Sequence, residues 1–75
     1  MQISKYRRAI LTVLKSNGPL TSSVLKITVK KLMIKEGECF NEISYGKILT
    51  KTRKRNKLNR ISTGDRVERY IYYIV

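Results

Sequence analysis

Apolar positions recur with a helical period along the first part of the chain. Ile3, Tyr6, Ile10, Val13 and Leu14 are spaced by three, four, three and one, which gathers them on one helix face. Lys5, Arg7, Arg8 and Lys15 fall off that face. Ser16-Asn17-Gly18-Pro19 ends the pattern, because Asn or Gly takes a left-handed cap and Pro cannot continue a helix. A first helix is therefore predicted over about 3–16. Leu20 then stands alone before Thr21-Ser22-Ser23, any of which can cap a second helix.

The next segment supports two readings. Leu25-Lys26-Ile27-Thr28-Val29-Lys30 alternates and is rich in β-branched residues, as a strand is. Leu25, Val29, Leu32 and Met33 also share a helix face. The run is longer than an average strand and follows a cap signal, so a helix over about 22–35, ended by Gly37, is preferred. A connector follows in which Phe40 is the candidate core anchor.

For the third helix, Ser44 as N-cap places Ile43 just before the cap and Ile48 at the fourth helical position, a pair that packs as a hydrophobic staple. Asn41 competes as cap. It would start the helix three residues earlier and turn Ile43 to solvent, so Ser44 is preferred. Tyr45, Ile48, Leu49 and Thr52 then face inward. Lys47, Thr50, Lys51 and Lys54 face outward with Arg53 and Arg55 on the flanks, and the helix ends near Asn56.

Residues 58–63 and 67–75 pattern as two strands around Gly64-Asp65, a two-residue turn signal. Their register stays open: a two-residue loop sets Arg60 opposite Arg69, and a longer one sets it opposite Glu68. The closing run from Tyr70 to Val75 is apolar on both faces, which calls for cover from helices and leaves room for a partner chain.

Composition narrows what such a fold is for. The 75 residues suffice for one small domain, 1–75, whose modest core would gain from oligomerisation. Lys and Arg number 17 against 5 Asp and Glu, a net charge of +12, so the surface attracts polyanions. Seven of those cations lie within residues 47–60 with no acid among them, so no pairing along the helix offsets their repulsion.

The chain has no His and one Cys, so it offers no Ser/His/Asp or Cys/His set and no zinc pattern. Its glycines form no phosphate-cradling motif. Glu36, Glu38 and Glu42 read as solvated carboxylates, and Cys39 reads as a small buried apolar residue. A binding module is expected here, not an enzyme, with no cofactor, metal or small-molecule ligand. No run reaches the ~18 apolar residues of a membrane span, and the N-terminus lacks a signal-peptide pattern. The expected setting is intracellular: cytoplasmic and nucleoid-associated.

The element order, with Gly18-Pro19-Leu20-Thr21-Ser22, the amphipathic helix Ser44–Arg55 and the Gly64-Asp65 hairpin, resembles the winged helix-turn-helix family over nearly the whole chain. The resemblance implies an α+β, mostly α fold: three helices plus a C-terminal two-stranded hairpin, the wing. It implies that Leu20 forms a short strand joining that hairpin. It further implies double-stranded DNA as partner and a transcriptional regulator as role, with helix 44–56 in the major groove and hairpin 58–75 on the flanking backbone or minor groove.

On that basis Lys47, Thr50, Lys51 and Lys54 are the groove-facing candidates, and Tyr45 reaches a phosphate through its hydroxyl. Arg53, Arg55, Lys57 and Arg60 are phosphate candidates, and Arg66 and Arg69 belong to the wing. One module makes few contacts, so a homodimer is expected. RNA or single-strand binding, with tyrosines as stacking partners, and an adaptor role in protein interaction are the alternatives.

Overall fold

The helical period of the first segment folds as α1 (Ile3–Asn17), which ends where Gly18 adopts φ 77° and donates its N–H to the Leu14 carbonyl at 2.8 Å. Strand β1 (Leu20–Thr21) leads directly into α2 (Ser22–Lys35), and α3 (Glu42–Lys54), β2 (Leu58–Ser62) and β3 (Tyr70–Ile74) complete the order. The computed structural model describes residues 3–55, 57–66 and 69–74. The class is α+β and mostly helical, with three helices and a three-stranded antiparallel sheet in the order β1-β3-β2.

The ambiguous run 24–30 is helical. Its alternation arises because α2 is apolar on two sides. Leu25, Val29 and Met33 are buried in the core, while Val24, Ile27 and Ile34 lie exposed on the opposite side. The core gathers Ile10, Val13 and Leu14 of α1, those three residues of α2, Ile48 and Leu49 of α3, and Leu58 and Tyr72 of the sheet. Leu20 pairs with Tyr72 and packs against this core, so the lone apolar residue after α1 does join the hairpin.

The start of α3 corrects the expected cap. Asn41, not Ser44, is the N-cap: its side-chain oxygen accepts the Ser44 N–H at 3.0 Å. The decisive contact is tertiary. The Tyr6 hydroxyl accepts the Asn41 N–H at 2.9 Å and donates to the Cys39 carbonyl at 3.5 Å, holding the chain extended at residue 41. Phe40 then fills the inward position between Tyr6 and Tyr45, with ring centroids 6.1 Å and 5.4 Å away. The Ile43–Ile48 staple does not form, since Ile43 is 70% exposed. Cys39 is exposed as well, because its neighbour Phe40 takes the core-facing place. Glu38 and Glu42 pair with Lys5 at 2.7 Å and Lys26 at 3.5 Å. The expected helix end at Asn56 lies outside the described residues, and the described helix stops at Lys54.

The hairpin also differs from its turn signal. Arg60 stands opposite Tyr72, not Arg69 or Glu68, and Ser62 opposite Tyr70. Thr63 donates its N–H to the Arg69 carbonyl at 3.0 Å, so Gly64-Asp65 is not a two-residue turn closing the hairpin. Gly64 keeps a positive φ of 80° within this longer loop. Val67, Glu68 and Val75, expected in the last strand, lie outside the described residues. The observed register avoids the Arg60–Arg69 like-charge pair. It puts buried Leu58 and Tyr72 on the core face, which a shift of odd length would undo.

Candidate nucleic-acid interface

The inner face of α3 fixes which residues it can present. Tyr45, Ile48, Leu49 and Thr52 are buried, and the Thr52 hydroxyl donates to the Ile48 carbonyl at 2.8 Å. The opposite side is then set by helical geometry. Gly46, Lys47, Thr50, Lys51 and Lys54 line one open groove of about 400 Å³. All five are exposed. The Thr50 hydroxyl donates to the Gly46 carbonyl at 3.0 Å, which leaves its oxygen free to accept.

Lys47, Lys51 and Lys54 have no carboxylate partner among the described residues. The acid that begins the helix, Glu42, is drawn to Lys26 of α2. Lys51, Arg53 and Lys54 occupy the last turn, where the helix dipole favours cations and so tolerates their crowding. An added Cβ at Gly46 would meet nothing within 4 Å, so no packing demand excludes a larger residue there. A glycine inside an exposed helix is destabilising by roughly 1 kcal/mol relative to Ala.

Tyr45 departs from its expected role. It is 5% exposed, and its hydroxyl is buried with no hydrogen-bond partner among the described residues. Burial, and secondarily the adjacent Tyr72, hold its phenol well above the ordinary tyrosine range. That hydroxyl is therefore not available to a phosphate in this structure.

Arg55, Lys57, Arg66 and Arg69 are exposed, and Arg53 is half-buried on the flank of α3. The Arg60 guanidinium lies 3.9 Å from the centre of the Tyr70 ring, a cation–π contact that orders a long side chain. The Arg69 side chain donates to the Arg66 carbonyl at 3.4 Å, which ties the two sides of the loop together.

One residue of this face was missed by reading the sequence. Once Asn41 caps the helix, Ile43 lies four residues before Lys47, seven before Thr50 and eleven before Lys54. These spacings return to the same side of an α-helix. Ile43 is the most exposed of the large apolar residues described. The competing cap was its only sequence signal.

A second concavity, of about 580 Å³, lies between the end of α1 and the sheet, with Leu14, Pro19, Ile61, Ile71, Tyr73 and Ile74 in its lining. Lys15 is the one charged member among the described residues of its lining. Among the described residues no helix is long and apolar enough to cross a membrane, and no cluster of His, Cys, Asp and Glu could hold a metal ion. Comparison with protein-family models, curated proteins and solved structures finds no match to this chain.

Proposed function

We propose that the protein binds double-stranded DNA as a small winged helix-turn-helix regulator, with α3 in the major groove and the β2–β3 hairpin on the flanking backbone. One observation carries this reading. The outer face of α3 presents Lys47, Thr50, Lys51 and Lys54 as one surface without a neutralising acid among the described residues, beside a glycine that packing does not require. An α-helix fits the major groove of B-DNA, and lysines and threonines reach phosphates and base edges from it. Arg60, Arg66 and Arg69 extend the positive surface to the hairpin. Phosphate contacts of this kind give affinity and register, while base-edge contacts give sequence preference.

The rival stacking mode has less support. Tyr6, Tyr45 and Tyr72 are buried, and the ring of Tyr70 is covered by Arg60. A second copy of the chain is the proposed partner on the groove between α1 and the sheet. A chain of net charge +12 can meet itself most readily through a face with few charges.

Competition between duplex DNA, single-stranded DNA and RNA of equal length tests the reading. Duplex DNA is expected to compete best, and the Lys47→Ala/Lys51→Ala double variant is expected to weaken its binding. Equal competition by all three, or unchanged binding by the double variant, would overturn it.

A further inference from the structure

The outer face of α3 carries Lys47, Lys51 and Lys54 with Gly46 and Thr50 between them, and Ile43 sits at its N-terminal end. At 70% exposure it is the most solvent-accessible large apolar side chain among the described residues. It shares its stripe with Lys47, Thr50 and Lys54 by spacings of four, seven and eleven. No core contact explains it, since the buried cluster and the apolar residues packed against it do not include Ile43. Nor does the cap explain it, because Asn41 satisfies the Ser44 N–H and Glu42 turns to Lys26.

A helix that enters the major groove puts its N-terminal residues against base edges. There a β-branched apolar side chain has one apolar counterpart, the C5-methyl group of thymine. The neighbours divide the remaining work. Thr50 offers a hydroxyl oxygen for a base edge, and the lysines reach phosphate or guanine. Gly46, with no side chain, allows the backbone of the first turn to come close.

We infer that Ile43 is a specificity-determining residue that reads thymine methyl groups in the major groove. The preferred sites of this protein therefore carry thymine under the first turn of α3. The inference rests on the duplex-binding reading above and adds to it a base preference and the residue responsible.

The test compares two 20-base-pair duplexes that differ only in that methyl group, alternating dA-dT and alternating dA-dU, by fluorescence anisotropy of the full chain at fixed salt. Burying one methyl group against an apolar side chain corresponds to about a fourfold change in affinity. The chain is expected to prefer the thymine duplex by at least that factor. Ile43→Ala is expected to bind both duplexes equally, and Ile43→Val to keep part of the preference. Ile43 is exposed, so neither change should alter the fold, and a thermal melt checks this.

A parent chain that binds both duplexes equally would overturn the inference. So would an Ile43→Ala variant that keeps the full preference, because the methyl would then be read elsewhere or through duplex shape. Failure of the parent chain to bind either duplex would instead remove the reading on which the inference rests, and the inference with it.

Discussion

Gly46 sets stability against binding at a single residue. It is exposed within α3, an added Cβ would meet nothing within 4 Å, and Thr50 binds its carbonyl. Gly46→Ala should therefore stabilise the fold by about 0.5–1 kcal/mol, read as a raised denaturation midpoint. The same methyl stands in the groove lined by Lys47, Thr50, Lys51 and Lys54, so duplex affinity should fall. A variant that is more stable and binds as well as the parent would show that this glycine serves no close approach.

Tyr45 gives a second test at this scale. Its folded pKa lies above the ordinary 10.0, mainly through burial. Above that ordinary value the unfolded chain loses a proton that the folded chain keeps. The unfolded state then binds fewer protons, and stability falls by about 1.4 kcal/mol per pH unit from this group alone. The readout is a difference between the parent and a variant without this phenol. Tyr45→Phe should lose less stability than the parent between pH 10 and 11 in urea titrations at each pH. Identical losses would mean that the phenol ionises freely in the fold. The inward place of Tyr45 was legible from spacing. The burial of its hydroxyl was not, because spacing places a side chain on a face but does not say how deeply its polar tip is covered.

At the level of elements, the helices were legible and their junctions less so. Punctuation by Gly18-Pro19 and Gly37 and the periodic apolar residues bounded α1 and α2 to within a residue. Both signals are local. The start of α3 turned on a contact from Tyr6, 35 residues away, which no local pattern encodes. That contact chose Asn41 over Ser44, turned Ile43 outward and left the outer lysines where spacing had placed them. The hairpin register was hidden for a similar reason. Gly64 does adopt a positive φ, but loop length follows from seating Leu58 and Tyr72 in the core. The cap itself can be tested. Asn41→Ala should cost about 1 kcal/mol by urea denaturation, and Asn41→Asp should retain most of that stability. Ser44→Ala, which removes the rejected cap, should change stability by less than about 0.5 kcal/mol. The reverse ranking would restore Ser44 as the start of the helix.

For the whole molecule, a charge of +12 on 75 residues makes salt the most discriminating variable, because the two proposed associations respond to it in opposite directions. Duplex binding releases counterions. If about six phosphates are neutralised, the logarithm of the association constant should fall against the logarithm of salt with a slope of about −5. Self-association brings two cationic chains together through a groove whose described lining carries Lys15 as its one charge, and the rest of each surface repels the other. Screening weakens that repulsion, so the dimer should tighten as salt rises. Sedimentation equilibrium from 50 to 500 mM NaCl should show the dimer fraction increasing over the range in which anisotropy shows DNA binding decreasing. Ile61→Glu, at a position 57% exposed on the groove, should abolish the dimer and leave the helical content of the monomer unchanged by circular dichroism, with a melting temperature that no longer depends on protein concentration. Ile27→Glu, at 51% exposure on the outer side of α2, should leave the dimer intact and serves as the matched control. A chain that stays monomeric at every salt concentration, or a dimer lost with Ile27→Glu but not with Ile61→Glu, would move the self-contact off this groove. A DNA slope near zero would remove the phosphate contacts assigned to α3 and the hairpin, whatever the dimer does.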